Sequence, residues 1–361
     1  MCITFSLNSE FKVLYNTESR PETCIIELTT RCNLSCRHCF RNVMRDNRDR
    51  DMDYSTLRTL LREIARLRIR KVILTGFGEP LLHPAVDEVI EELHRGNVKV
   101  VLNTNGTLLE KHLDIVLSHV YELALSIEHP PQIREAGLQH LRKIIEYIRD
   151  YKAKNYRSTP ILSAYMTLTK TSSDVNKVIS MLAQLGFTYV RISNIIPIDE
   201  STLSLSCMLD EETKPRVENM LDSLARETLH GSLGVEMAHV NPSPFRSCPY
   251  MTNRAVYVAV DGAVVPCMYY SHDICTYIEG VRREIRRVAF GHVKDGLLKV
   301  WSSQRYVKFR LQLAVNAIPS CFSCRLRWYC PLTTSNLEDC IGNSPTCAHC
   351  PFLHGLAICP I

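Results

Sequence analysis

The sequence lacks any apolar run that approaches the roughly 20 residues of a membrane-spanning helix. Its first residues, 1–4, also lack the basic region and apolar core with which a signal peptide begins. The net charge of +5 is modest, and the basic residues are dispersed apart from four arginines between positions 282 and 287. These absences disfavour membrane, secreted and nucleic-acid-binding proteins. We therefore predict a cytoplasmic protein, with neither a membrane nor a nucleic acid as its partner.

Cysteine, in contrast, is abundant. The chain has 16 cysteines in 361 residues, and in a large chain without a signal peptide they indicate metal or redox chemistry rather than disulfides. Few of them lie between Cys39 and Cys248, and seven crowd into the segment from Cys321 to Cys359. The length allows one large domain and a smaller one.

Three cysteines stand within eight residues, at Cys32, Cys36 and Cys39. Thiolates at this spacing can converge on one metal centre without help from distant sequence. A fourth cysteine nearby is missing, so one position on the metal stays open for a ligand that is not protein. A structural zinc site is the alternative, and it would take its fourth ligand from His38 or from a remote cysteine.

The chain from residue 24 to residue 197 alternates strands with amphipathic helices. The predicted strands are 24–30, 71–75, 98–102, 122–127, 161–168 and 189–192. Six successive β/α units require parallel strands joined by right-handed crossovers. We therefore predict an α/β fold: a partial (β/α)6 TIM-like barrel followed by a C-terminal cysteine-rich auxiliary domain.

Four segments are predicted in all. They are an N-terminal hairpin at 1–22, the barrel at 23–200, a helical connector at 201–247 and the cysteine-rich domain at 248–361. Within the last segment, the Asp-Gly pair at 261–262 predicts the turn of a β-hairpin.

Unusual polar or glycine-rich sequences follow each predicted strand. They are the cysteine loop, Gly76 to Pro80, Asn103 to Gly106, Ser126, Thr167 to Lys170 and Asn194 to Pro197. In such barrels the reacting groups lie at the carboxyl ends of the strands. We therefore expect one barrel mouth to collect all of these sequences.

The cysteine triplet, with His38 just before its last member and Gly78-Glu79-Pro80 after the second strand, resembles the radical S-adenosylmethionine superfamily over residues 24 to about 197. The resemblance implies a 4Fe-4S cluster on the three thiolates, whose fourth iron is chelated by S-adenosylmethionine. It also implies reductive cleavage to a 5′-deoxyadenosyl radical that abstracts hydrogen, with reduced ferredoxin or flavodoxin as electron donor.

The resemblance also suggests which residues bind S-adenosylmethionine. The candidates are Gly78, Glu79, Asn105, Ser126, Arg134 and Ile195. A glycine allows close backbone approach, and Glu79 is expected to accept from the ligand's ammonium group. Ordinary structural roles compete with these assignments: a Gly-Phe-Gly-Glu-Pro stretch is often only a turn, and Ser126 or Arg134 often only a helix-start or surface residue.

The C-terminal cysteines resemble the SPASM extension, which implies one or two auxiliary 4Fe-4S clusters. The candidate ligands are Cys248, Cys267, Cys321, Cys324, Cys330, Cys340, Cys347, Cys350 and Cys359. The pattern departs from SPASM where Thr334 stands in place of a cysteine. We assign Cys248 and Cys267 to one cluster with a later thiol. The other cluster is assigned Cys321, Cys324 and Cys330, with a further ligand from the C-terminal cysteines. Zinc ribbons are the alternative.

The tail from Gly342 to Cys359 resembles that of maturases associated with tungsten-dependent aldehyde ferredoxin oxidoreductases, and SPASM enzymes mostly act on a peptide, a protein or a cofactor. The main rival function is a thioether or carbon-carbon crosslink in a ribosomally made precursor peptide. The roughly twenty residues before the barrel are too few for a leader-binding domain, which weakens this rival. A non-enzymatic iron-sulfur or zinc protein is a third possibility, and it predicts no cleavage of S-adenosylmethionine.

Overall fold

The computed structural model describes residues 2–6, 12–16, 19–127, 135–172, 175–228 and 233–361. The first two strands, β1 (Cys2–Ser6) and β2 (Lys12–Asn16), form an antiparallel hairpin at the predicted position. Six strands of the barrel follow: β3 (Thr23–Ile26), β4 (Lys71–Leu74), β5 (Lys99–Thr104), β6 (Glu122–Ile127), β7 (Ile161–Leu168) and β8 (Tyr189–Asn194). All six are parallel and adjacent in chain order, which confirms the predicted α/β partial barrel.

Helices cross between these strands. They are α1 (Tyr54–Leu67), α2 (Val86–Arg95), α3 (Leu113–His119), α4 (Glu135–Lys154) and α5 (Val175–Gln184). Helix α1 shows why they form: the Asp53 side chain accepts a hydrogen bond from Thr56 N at 2.9 Å, which caps the helix start. Its apolar residues at helical spacing are buried against the sheet. None of the helices in the described ranges combines the length and the apolarity needed to cross a bilayer.

The segment predicted as a helical connector is helical only in part. It holds α6 (Glu200–Leu203) and α7 (Lys214–Thr228), but then a strand, β9 (Gly234–Met237), which pairs in parallel with β8. This strand is short, half exposed and begins with glycine, so the sequence has no apolar run there that would predict a strand.

Part of the cysteine-rich segment continues the barrel sheet, and residues 274–285 form a separate antiparallel hairpin. The elements of this segment are α8 (Pro249–Thr252), β10 (Ala255–Val258), β11 (Ala263–Val265), β12 (Ile274–Ile278), β13 (Val281–Ile285), β14 (Gly291–His292), α9 (Leu297–Trp301) and α10 (Gln304–Ala314). Strand β10 pairs in parallel with β3, placing Val256 opposite Cys24, and turns into β11 at the predicted Asp-Gly pair. The result is a sheet of ten strands in the order β14-β11-β10-β3-β4-β5-β6-β7-β8-β9.

Candidate active site

The carboxyl ends of the barrel strands surround a cavity of about 330 Å³. The predicted residues that line it are Cys32, Cys36, Cys39, Gly78, Glu79, Asn105, Ser126 and Ile195. The remaining candidate, Arg134, lies outside the described residues. The structure thus brings together eight predicted site residues from five separate loops and strands around one cavity, which we call the mouth cavity.

The cysteine loop after β3 has little regular structure and is held by hydrogen bonds to its backbone. Arg41 Nε donates to Thr30 O at 2.8 Å, and Asn42 Nδ2 donates to Cys36 O at 2.9 Å. Cys39 N donates to Cys36 O at 3.1 Å, which closes a turn between two members of the triplet. The three thiols are half buried, so they stay accessible from the cavity.

Glu79 holds the mouth together from within. Its Oε1 accepts from Thr104 Oγ1 at 2.7 Å and from Leu81 N at 3.2 Å, while Oε2 accepts from Asn105 N at 2.8 Å. Burial raises the pKa of the Glu79 carboxyl, against these three hydrogen bonds. Both carboxylate oxygens therefore already have protein donors, and Glu79 braces the loops after β4 and β5.

The glycine of this loop is required by close backbone packing. A Cβ atom on Gly78 would collide with the carbonyl oxygens of Thr29 and Arg31, on the chain that leads into the cysteine loop. Arg31 O also accepts a hydrogen bond from Glu79 N at 2.8 Å. The loop after β4 therefore lies directly on the start of the cysteine loop, which only glycine permits.

Asn105 connects the loop after β5 to the cysteine loop. Its Nδ2 lies 4.0 Å from Cys32 Sγ and donates to Asn33 Oδ1 at 3.0 Å. Its Oδ1 accepts from Thr107 N at 3.0 Å. Asn105 therefore positions the cysteine loop, a role that its place in an Asn-Thr-Asn-Gly turn did not reveal.

The far wall of the mouth cavity comes from the C-terminal domain, which sequence reasoning missed. Met268, Phe352, Ile358 and Pro360 line this side. These apolar residues belong to no motif, and only the packing of the domain against the barrel places them here.

A second cavity inside the C-terminal domain collects five thiols. They are Cys248, Cys267, Cys347, Cys350 and Cys359. Burial raises the pKa of Cys350 to about 12, and burial followed by neighbouring thiols raises those of Cys267, Cys347 and Cys359 well above the ordinary range. Such thiols form thiolates only when a metal cation compensates their charge. We call this the inner thiol set.

A further group of thiols lies nearer the surface, and we call it the outer thiol set. It consists of Cys321, Cys324, Cys330 and Cys340, of which Cys324 and Cys340 are exposed. Burial first, and then the other three thiols, raise the pKa of Cys321 to about 11. Across the described ranges, no three His, Cys, Asp or Glu side chains converge as ligands of a single metal ion. The inner thiols, which are spread around a cavity, suit a multi-iron cluster.

A buried charged network joins the barrel to the C-terminal domain beneath the mouth. Glu27 and His272 are fully buried, and their Oε2 and Nε2 atoms lie 2.8 Å apart. Asp46 lies 3.4 Å from the other His272 nitrogen and 3.6 Å from Arg287. Burial opposes charge on His272, but Glu27 and Asp46 outweigh it and raise the pKa of His272 to about 9.

Comparison with known proteins agrees with this geometry. The sequence model of the Radical SAM superfamily matches residues 26–193, and that of the SPASM iron-sulfur cluster-binding domain matches residues 248–325. The tungsten-containing aldehyde ferredoxin oxidoreductase cofactor-modifying protein of Pyrococcus furiosus is 27% identical over 350 residues, which cover 93% of this chain and 96% of that protein.

More distant likenesses point to the same architecture. A probable GTP 3′,8-cyclase of Methanocaldococcus jannaschii is 24% identical over 272 residues, covering 72% of this chain and 88% of that protein. The crystal structure of Streptococcus suis SuiB bound to S-adenosylmethionine superposes with a TM-score of 0.60 at 16% identity, covering 86% of this chain and 72% of that one. At that identity the likeness concerns the fold. The chain is a radical S-adenosylmethionine enzyme with a C-terminal SPASM domain.

Proposed function

We propose that this enzyme modifies the cofactor of a tungsten-dependent aldehyde ferredoxin oxidoreductase, with reduced ferredoxin or flavodoxin as its electron donor. The observation that supports this choice is the similarity to the Pyrococcus furiosus cofactor-modifying protein, which extends over 93% of this chain. It spans both the barrel and the cysteine-rich domain, whereas the similarity to the cyclase covers 72% of the chain.

In this proposal Cys32, Cys36 and Cys39 hold a 4Fe-4S cluster at the mouth cavity. Their half-buried thiols border a space large enough for an additional ligand, which is what a cluster with one open iron requires. When bound, the cluster and S-adenosylmethionine together supply the radical that abstracts hydrogen from the substrate.

The chain's own residues then bind and orient the ligand. Backbone groups at Gly78 approach it closely, since no side chain intervenes, and the Asn105 and Ser126 side chains offer polar contacts. Ile195 supplies an apolar surface for a flat ring. Glu79 holds these loops in place through its three protein donors.

The C-terminal thiols are proposed to hold two auxiliary 4Fe-4S clusters, one on the inner and one on the outer thiol set. The outer set offers four thiols, which is the number that a fully ligated cubane needs, and the inner set offers five. Cys340 is thereby the fourth ligand of the outer cluster, together with Cys321, Cys324 and Cys330.

A second candidate function is the modification of a precursor peptide. No Lys or Arg occurs among the described residues that line the mouth cavity. A phosphate-bearing cofactor would need a cationic partner, whereas a neutral peptide segment would not. This feature favours the peptide.

A direct comparison of the two substrates tests the proposal. The protein is reconstituted anaerobically, reduced and given S-adenosylmethionine with either cofactor released from a tungsten-dependent aldehyde ferredoxin oxidoreductase or a synthetic cysteine-containing precursor peptide. We expect the cofactor's mass to change and 5′-deoxyadenosine to rise above the level without substrate. An unchanged cofactor together with a modified peptide would reject the proposal in favour of the second candidate.

A further inference from the structure

The last residues of the chain lie across the ends of the barrel strands and are held there by three side chains. Asn103 Nδ2 at the end of β5 donates to Pro360 O at 3.2 Å. At the end of β8, Asn194 Nδ2 donates to Leu356 O at 2.9 Å, and Ser193 Oγ accepts from Ile358 N at 3.0 Å. We call residues 356–360 the tail.

The tail forms part of the partition between two cavities. Pro360, together with Met268 and Phe352, lines both the mouth cavity and the cavity of the inner thiol set. Ile358 lines the mouth cavity, while the next residue, Cys359, lines the thiol cavity. The tail therefore presents neighbouring side chains to both sites.

Both asparagines that hold the tail also keep an unused acceptor. Asn103 is 8% exposed and Asn194 is 3% exposed, and both line the mouth cavity. Within the described chain, neither Oδ1 atom has a hydrogen-bond donor, although both are buried. A buried amide oxygen without a donor is unfavourable, so a ligand that donates beside these residues would relieve that cost.

We propose that the tail couples the inner thiol set to ligand binding in the mouth cavity, with Asn103 and Asn194 as positioning residues. An iron-sulfur centre ligated by Cys359 fixes the tail, and the fixed tail completes the wall against which S-adenosylmethionine binds. This inference rests on the proposed function, because it takes the mouth cavity as the S-adenosylmethionine site. Cys359, one of the five thiols of the inner set, thereby affects ligand binding in the mouth cavity.

The alternative is that the tail is ordinary C-terminal packing. In that case the loss of Cys359 would alter iron content alone, and the loss of either asparagine would lower stability without a specific effect on ligand affinity. The two accounts therefore differ in the S-adenosylmethionine dissociation constant, which is measured without turnover.

The test compares matched cysteine and asparagine variants of the anaerobically reconstituted full chain. Cys359→Ala is compared with Cys340→Ala, which removes a thiol of the outer set and leaves the tail unchanged. Asn194→Leu is compared with Asn336→Leu, because Asn336 is also buried and also holds backbone, at Arg286 rather than in the tail. Equilibrium dialysis gives the dissociation constant, and hydrogen exchange follows the peptide covering residues 352–361.

We expect Cys359→Ala and Asn194→Leu to raise the dissociation constant about tenfold, the effect of one or two lost hydrogen bonds, and to speed exchange in the tail. Cys340→Ala and Asn336→Leu should leave the dissociation constant within about twofold of wild type. Unchanged affinity in Cys359→Ala, or equal losses in test and control variants, would overturn the coupling. Failure of the wild-type protein to bind S-adenosylmethionine would instead count against the site assignment on which the inference rests.

Discussion

The mouth cavity and the cavity of the inner thiol set hold cysteines in opposite ways. Three half-buried thiols at the mouth come from one eight-residue loop and face a space of about 330 Å³. The five inner thiols come from positions spread between residues 248 and 359, and they line an apolar cavity in which burial raises their pKa values. One site leaves room for a ligand, and the other surrounds its contents with protein.

This difference separates two uses of the same side chain. A local loop can ligate a cluster and still expose one iron, because the rest of the fold contributes only the opposite wall. Ligands drawn from distant segments also tie those segments together, so metal binding there adds to folding stability. The mouth should therefore control chemistry, and the inner set should control stability as well.

Replacing a mouth cysteine should produce the largest effect. In Cys36→Ala we expect 5′-deoxyadenosine formation to fall to background, because two thiolates do not hold the cluster, while the melting temperature stays close to that of wild type. Chromatography of the reduced, reconstituted reaction checks this. Cys275→Ala is the control, since Cys275 lines neither thiol cavity. Cleavage that persists in Cys36→Ala would remove the triplet from its assigned role.

The next largest effect should be a difference in thermal stability between a variant of the inner thiol set and a variant of the outer thiol set. We expect Cys350→Ala to lower the melting temperature of the reconstituted protein by about 5 °C, because it removes a ligand that ties distant segments together. Cys324→Ala, at an exposed position, should lower it by only about 1–2 °C. Differential scanning calorimetry with iron analysis measures both variants. Equal shifts would show that enclosure does not distinguish the two sets.

The smallest of these effects concerns the buried charged network of Glu27, His272 and Asp46. The folded pKa of His272, about 9, exceeds the ordinary value of about 6.5, so its contribution is fully present below pH 6.5 and is lost as the pH rises through 9. His272→Gln should cost about 3 kcal/mol at pH 6, since it leaves Glu27 buried without its partner, and less at pH 9.5. Urea unfolding at both pH values measures this.

His112 provides the matched control for that experiment. Its Nδ1 lies 2.7 Å from Asp87 Oδ1, but the aspartate side chain is 45% exposed. His112→Gln should therefore cost less than about 1 kcal/mol at pH 6. A His272→Gln variant with no greater loss than His112→Gln would mean that the buried network does not stabilise the joint between the domains.

The spacing of residues close together in the sequence predicted the barrel and its mouth. Contacts between segments far apart in the sequence could not be predicted. The cysteine triplet and the glycine turn after β4 occupy the strand ends where the sequence placed them. The contact between Glu27 and His272 spans 245 positions, and no pattern in either segment indicates it. Strand β9 was missed because its half-exposed residues carry no periodic signal. In the sequence, Thr334 showed only that one cysteine of the SPASM pattern was missing. The fold shows which five thiols share the inner cavity.

The pairing of β10 with β3 has a consequence for the order in which the enzyme is made. Strand β3 is among the first parts of the barrel to leave the ribosome, yet one of its two neighbours ends at Val258 and is synthesised more than two hundred residues later. Until then β3 presents an unpaired edge, which invites pairing with other chains. The strand that leads into the cysteine loop therefore gains its second neighbour only after β10 of the SPASM domain has been made.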